Sequence, residues 1–319
     1  MVIRDWSSDV CSSDLDQFFR RLRPRDNIRL RFGFFRVAGK FRPRLVIARH
    51  LVGADVATDL GLETILEIHR PPTGAREQET FSKVVGRPSL CRVVVVTHQL
   101  KEEILKTGVA AERVLVLPDG ADDVTDREKV AKIGLPGALR VGYVGHLYEG
   151  KGIEIIEKVS RRLPDVEFHV VGGMPEDIER WRSLAVCSDI HFHGFIPQAQ
   201  IPEYMNAFDI CLLPNQPTVF SYRPGGHGAD IGRYTSPLKM FEYMAHKKAI
   251  IASDLPVLRE VLHEDIAMLV DPENPDEWVS AIERLRDPGV RQRLSENAYR
   301  EFLEKYTWDR RAGRLLAGR

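Results

Sequence analysis

The stretch LRVGYVGHLYEGKGIEIIEKVSRRL, Leu139 to Leu163, reads as a short apolar strand, a glycine turn and an amphipathic helix. Gly145, Gly150 and Gly152 punctuate the middle, and Ile153, Ile155, Ile156, Val159 and Leu163 recur beyond them at helical spacing. A strand that feeds a helix through glycines is the repeating unit of a parallel α/β sheet. The turn also fits G-x-x-x-x-G-K, the phosphate loop of nucleotide hydrolases, except that Gly152 stands where that loop carries the Ser or Thr that holds magnesium. Three readings follow. The turn is a magnesium-dependent phosphate loop, a turn that brings Lys151 to a diphosphate without metal, or a structural turn with a solvated Lys151.

The same alternation extends outward in both directions. Toward the C-terminus VEFHVVGG, IHFHGF, DICLLP, AIIASD and AMLVD are short apolar strands, most separated by helical segments. Toward the N-terminus RPRLVIARH, ETILEIH, RVVVVTH and RVLVLPDG are four more, with helical patterns in VGADVATDLGL and QLKEEILKTGV. The polar run from Asp123 to Gly137, ending in GLPG, reads as a linker between two series. The expected fold class is therefore α/β, with two Rossmann-like domains facing a cleft and ligands at the carboxyl ends of the strands.

Composition agrees with a globular protein. The 319 residues carry 46 basic and 46 acidic side chains, and no apolar run reaches the roughly 18 residues of a membrane span. No signal peptide is visible, so the chain reads as cytoplasmic. Four scattered cysteines without a C-x-x-C pair predict neither a zinc site nor a disulfide framework, and Cys91 and Cys211 are expected as buried free thiols.

RYTSPLKMFEYMAHKKAII, Arg233 to Ile251, supplies the second candidate anion site. Ser236 suits an N-cap and Pro237 the first helical position. The backbone N–H groups of Leu238 and Lys239 would then face an anion such as a diphosphate. Leu238, Phe241 and Ala245 are expected on the buried face, and Lys239, Glu242 and His246 on another. Glu242 would reach back toward a ligand at the helix start, or simply pair with Lys239 in solvent.

The opening departs from all this. DWSSDVCSSDL, Asp5 to Leu15, has no structural periodicity and is encoded in one frame by a common sequencing-library adapter, so residues 1–15 are expected to be an artefact.

Together, VGYVGHLYEGKG, VVGG, FHGFIPQAQIPEYMNAFDICLLP, SPLKMFEYMA and ENAYREFLEKYTW resemble the retaining glycosyltransferases of the GT-B fold, in the group 1 (family 4) class. The resemblance runs from about Val46 to the C-terminus. It implies an incomplete N-terminal acceptor-side domain over 16–134 and a C-terminal sugar-nucleotide domain over 135–304. It also implies a C-terminal helix over 305–319 packing back toward the first. An initial strand and glycine-rich loop are missing before Val46; if two βα units are absent, about 60 residues precede this sequence in the natural protein.

The resemblance further implies a site. Glu242 would accept hydrogen bonds from the ribose hydroxyls, with Ile196 near the nucleobase. Gly145, His146, Lys151, Ser236, Leu238 and Lys239 would face the donor diphosphate. His69, in LEIH, matches the histidine beside the reacting sugar and acceptor. The family often has Arg where His146 stands. Its usual signature is two glutamates eight positions apart; Tyr234 holds the place of the first, so Asp230 or Tyr234 is left to meet the donor sugar. The implied reaction moves a sugar from a nucleoside diphosphate sugar, as co-substrate and without cofactor or metal, to a hydroxyl acceptor such as a glycan or lipid-linked sugar, by front-face substitution or double displacement. An epimerase or phosphorylase on this scaffold and a non-catalytic sugar-nucleotide-binding protein are the alternatives. No nucleic-acid motif is present. The arginine-rich segment Arg20 to Arg49 fits peripheral contact with an anionic membrane surface as well as it fits a solvated helix face.

Overall fold

The computed structural model describes residues 32–36, 40–41, 43–184, 190–223 and 226–317. Residues 1–15, Cys11, Cys187 and most of the arginine-rich segment lie outside the described residues. The chain divides into two compact units, Met1–Leu117 with Ser221–Gly228 and Pro118–Phe220 with Ala229–Arg319.

The first unit is built on four parallel strands in the order β1 (Val46–Ala48), β2 (Thr64–Ile68), β3 (Leu90–Val95) and β4 (Val114–Val116). Helices α1 (Leu51–Asp59), α2 (Gly74–Val85) and α3 (His98–Leu105) make the crossovers. Ile65 and Leu66 of β2 and Val93 to Val95 of β3 are buried, the near-continuous apolar run expected of a sheet covered on both faces. Thr97 starts α3, its Oγ accepting from the Leu100 N–H at 3.2 Å. Arg87, after α2, donates to Asp55 Oδ1 at 2.7 Å and to Thr58 Oγ at 2.8 Å, which locks α1 in place. Cys91 is exposed rather than buried, although Leu90 beside it in β3 is buried.

The second unit holds six parallel strands. They are β5 (Leu139–Val144), β6 (Val166–Val171), β7 (Ile190–Gly194), β8 (Ile210–Leu213), β11 (Ala249–Ser253) and β12 (Met268–Val270), in the spatial order β12-β11-β8-β5-β6-β7. Counted within the unit, this is 3-2-1-4-5-6 from the β7 edge, the doubly wound order whose direction reverses between β5 and β8. β9 (Phe220–Arg223) and β10 (Gly226–Asp230) form a separate two-stranded sheet.

Alternate residues of each strand feed opposite cores. Val144, Val171, Cys211, Leu213, Ile250 and Ala252 face one side. There they meet α6 (Ile201–Ala207), α7 (Leu238–Ala245) and α9 (Pro288–Lys305). Val141, Tyr143, Val170, Leu212 and Ile251 face the other. That side is covered by α4 (Ile153–Ser160), α5 (Pro175–Leu184) and α8 (Pro275–Arg284). The fully buried Trp278 anchors α8, its indole N–H donating to the Asp271 carbonyl at 2.9 Å. Gly142 has no room for a side chain, since the Phe208 ring fills the space a Cβ would take.

The polar run from Asp123 is not a free linker. Asn206 Nδ2 donates to the carbonyls of Asp126 and Lys129, Arg127 donates to the Ala245 carbonyl at 2.8 Å, and the Ala131 N–H donates to the Glu203 carbonyl at 2.9 Å. These bonds attach it to α6 and α7, and the second unit accordingly begins at Pro118. The last helix, α10 (Trp308–Leu316), belongs to that same unit. The Trp308 N–H donates to Ala121 O at 3.1 Å, and Arg311 Nε donates to Pro118 O at 2.9 Å.

Candidate functional site

The strand order places the reversal point at the carboxyl ends of β5 and β8, and the Gly145–Gly152 turn leaves β5 there. Three glycines shape it. Gly145 (φ +146°), Gly150 (φ +85°) and Gly152 (φ +80°) all lie in the region that favours glycine. A Cβ at Gly150 would overlap the Thr218 carbonyl, and one at Gly152 the Pro214 carbonyl, so the segment after β8 lies directly against the turn. Gly152 cannot be the Ser or Thr of a magnesium-holding phosphate loop, because both its φ and the Pro214 carbonyl exclude a side chain. The sequence match to that loop is therefore one of spacing only.

Lys239 and the glycine turn meet. Lys239 is only 8% exposed. Its Nζ donates to the Tyr143 hydroxyl at 3.0 Å and lies 2.6 Å from the position of a Cβ on Gly145. The Tyr143 hydroxyl in turn donates to the His146 carbonyl at 2.7 Å, which fixes the turn. The His146 ring stacks on Tyr148 with centroids 5.2 Å apart. Lys151 Nζ lies over that same ring, 5.2 Å from its centroid. Gly145, His146, Lys151 and Lys239 are thus gathered around Tyr143 and Tyr148, two residues that motif reading did not single out. Their signal was the tyrosine on either side of Gly145–His146 in GYVGHLY.

Helix α7 begins differently from expectation. Pro237 is the N-cap and Leu238 the first helical residue. Ser236 does not cap it; its Oγ accepts from the Asp119 N–H at 3.2 Å. Phe241 and Ala245 are buried as expected, but Leu238 is only half-buried, and Lys239 and His246, expected on another face, are buried too. The helix is buried almost all round, so its sequence carries no clean polar stripe. His246 sits in the core as a neutral ring, its Nδ1 2.8 Å from Asn206 Oδ1, and burial, with Lys248 beside it, pushes its pKa down to about 3. Glu242 is half-buried on this helix.

Asp230 has a structural part. Its Oδ1 accepts from the N–H groups of Val219 at 3.1 Å and Gly232 at 2.9 Å, closing the loop that precedes Tyr234. Tyr234 ends a short turn, Gly232–Tyr234, and is half-buried. Ile196 follows β7 and packs half-buried against the core. Asn215, after β8, is buried with neither amide atom hydrogen-bonded to a described residue. It is a polar side chain at the reversal point that no motif indicated.

His69 lies in the first unit, just past the carboxyl end of β2, with Nε2 2.9 Å from Glu67 Oε1. Glu67 and Arg49, which also reaches this pair, were not singled out in the sequence.

Two Rossmann-like units with parallel sheets define a GT-B glycosyltransferase fold, and solved structures agree. The chain superimposes on sucrose-phosphate synthase of Thermosynechococcus elongatus with a TM-score of 0.67 and 21% identity, covering 90% of this chain and 75% of that one. Anabaena HepE, solved with UDP-glucose, gives a TM-score of 0.66 at 17% identity, covering 90% of this chain and 81% of that one. In sequence, residues 138–287 match the family model of glycosyl transferases group 1. Among curated relatives, a Methanocaldococcus jannaschii protein named as an uncharacterized glycosyltransferase is 26% identical over 240 residues, 69% of this chain and 57% of its own length. The 2-deoxystreptamine glucosyltransferase of Streptomyces kanamyceticus is 26% identical over 239 residues, 63% of this chain and 60% of its own. The chain thus spans about three fifths of these relatives. No helix among the described residues is long and apolar enough to cross a membrane.

Proposed function

We propose that the protein transfers a sugar from a nucleoside diphosphate sugar to a hydroxyl acceptor with retention at the anomeric carbon, as a retaining group 1 (family 4) enzyme. The observation that carries this reading is the buried Lys239 ammonium held at the Gly145–Gly152 turn, at the reversal point of the sheet. A fixed positive charge beside a glycine turn suits a diphosphate leaving group, because preorganised charge stabilises the negative charge that develops as the bond breaks. In the transfer, the acceptor oxygen bonds to the anomeric carbon, the bond from that carbon to the phosphate oxygen breaks, and the acceptor's proton leaves with the departing diphosphate.

Lys151 and Lys239 supply charge to the phosphates, with His146 beside them, so the reaction is assigned no metal and no cofactor. Ser236 and Leu238 border the same helix start. Glu242 accepts from the ribose, Ile196 borders the base, and His69 meets the reacting sugar and acceptor. Asp230, whose Oδ1 is engaged by two backbone N–H groups, or Tyr234 meets the donor sugar. That HepE was solved with UDP-glucose and that these relatives are named glycosyltransferases supports a nucleotide sugar as donor. The acceptor class, a glycan or lipid-linked sugar, and peripheral contact with a membrane surface remain part of the proposal.

The test is calorimetric titration of a panel of nucleoside diphosphates, with and without a chelator, followed by product analysis with a labelled nucleotide sugar. Micromolar binding of one diphosphate, undisturbed by chelation, and an anomeric product of unchanged configuration are expected. Binding that needs added magnesium, or hydrolysis of ATP, would sink the reading.

A further inference from the structure

Glu67 is 2% exposed, a buried acid in a strand of apolar residues. A buried carboxylate is costly unless paired and hydrogen-bonded. His69 stands two residues further along the chain and so projects to the same side. Its Nε2 lies 2.9 Å from Glu67 Oε1. Arg49 crowds both groups, with Nε 3.3 Å from Glu67 Oε1 and Nη2 2.8 Å from His69 Nε2.

These contacts cannot all be hydrogen bonds at once. A guanidinium only donates, an ionised carboxylate only accepts, and a ring nitrogen carries either a proton or a lone pair. A bare Nε2 would accept from Arg49 but set its lone pair against Glu67. A protonated Nε2 donates to Glu67 and turns Arg49 away. Rigidity decides which contact yields. Glu67 is fixed in β2, paired with Val94 of β3, and its side chain is 3% exposed, whereas that of Arg49 is 48% exposed. Arg49 keeps its bond to the carboxylate and gives up the ring.

We propose that Glu67 is the positioning residue for His69, holding the imidazole as the Nε2–H tautomer so that Nδ1 is the accepting nitrogen at the carboxyl end of β2. A carboxylate that orients a histidine and sets its tautomer is the logic of catalytic dyads and triads. Resting on the proposed transfer, Nδ1 accepts a hydrogen bond from a hydroxyl of the donor sugar or the acceptor. Without Glu67, Arg49 would donate to Nε2, and Nδ1 would become a donor with the wrong polarity for that hydroxyl.

The test is two-bond proton–nitrogen correlation NMR on histidine-labelled protein at about pH 8, where an ordinary imidazole is neutral. The His69 signals are assigned by their loss in His69→Gln. The wild type should show the Nε2–H pattern, and Glu67→Gln should keep it, because the amide oxygen still accepts. Glu67→Leu should convert His69 to the Nδ1–H pattern, with kcat for sugar transfer lowered about tenfold or more and the donor KM nearly unchanged. An Nδ1–H pattern in the wild type overturns the proposal, as does a folded Glu67→Leu with unchanged tautomer or full kcat. If Glu67→Leu does not fold, the wild-type and Glu67→Gln spectra decide. The spectra need no substrate, so an Nε2–H His69 in a chain that never transfers sugar supports the dyad and counts against the transfer alone.

Discussion

The ammonium of Lys239, on α7, donates to the hydroxyl of Tyr143, on β5, across 3.0 Å. That hydroxyl in turn donates a hydrogen bond to the carbonyl of His146, so a charge on one helix is tied to a turn that follows a strand far away in sequence. Lys239 places a cation at that turn. A buried ammonium at a glycine turn suits an anionic ligand.

Lys239→Met keeps the bulk and removes the charge. It should weaken nucleoside diphosphate binding by about 1.5–3 kcal/mol, roughly 10- to 150-fold, and leave binding of the free nucleoside almost unchanged. Titration calorimetry with both ligands checks this. An equal loss on both would mean that Lys239 shapes the fold rather than binding phosphate.

Gly152→Ser would complete the phosphate-loop pattern on paper. The left-handed φ of +80° and the overlap of a Cβ with the Pro214 carbonyl predict instead a loss of about 2 kcal/mol or more in stability, with no magnesium-dependent ATP hydrolysis gained. Urea denaturation and a phosphate-release assay read the two outcomes. A stable, ATP-hydrolysing variant would reverse the assignment of this turn.

Glu242→Ala should cost about 1.5–3 kcal/mol in nucleoside diphosphate affinity, the scale of hydrogen bonds to a charged acceptor. The loss should be the same for the free diphosphate and the diphosphate sugar, since the ribose is common to both. Unchanged affinity in the folded variant would remove Glu242 from the site.

Acid should destabilise the second unit through its histidines. His169, 1% exposed on β6, is pushed down to about 4 by burial and then by His191 and His193, against the opposing pull of Glu167. Its ring stacks on His191 at 4.9 Å, and its Nδ1 is 3.0 Å from His193 Nε2. A histidine with a depressed folded-state value binds fewer protons folded than unfolded, so stability falls as pH drops below about 6.5. The fall continues to about pH 4 for His169 and about pH 3 for His246. Denaturation midpoints measured from pH 8 to pH 4 should decline below about 6.5, and His169→Phe should flatten part of that decline. Midpoints that rise on acidification would contradict the burial argument.

Features that depend on near neighbours along the chain were legible in the residues alone. Ten parallel strands stand where short apolar runs predicted them, because alternation and glycine punctuation act over a few residues. The glycine turn was legible for the same reason, as was the presence of a helix after Pro237. Tertiary structure decided the rest. Which strands neighbour one another follows from crossovers dozens of residues long, and only that order sets the reversal point between β5 and β8. On α7 the buried face expected at Phe241 and Ala245 holds, but Lys239 and His246 are buried as well, because an amphipathic reading assumes one wet side, whereas this helix is enclosed and its lysine turns inward to Tyr143. The polar run after Asp122 looked like a linker because composition cannot reveal that Asn206 and Arg127 hold it down through backbone carbonyls. Glu67 likewise looked like any strand acid. Its weight comes from burial, which removes water as a competing partner, and from its contacts with His69 and Arg49.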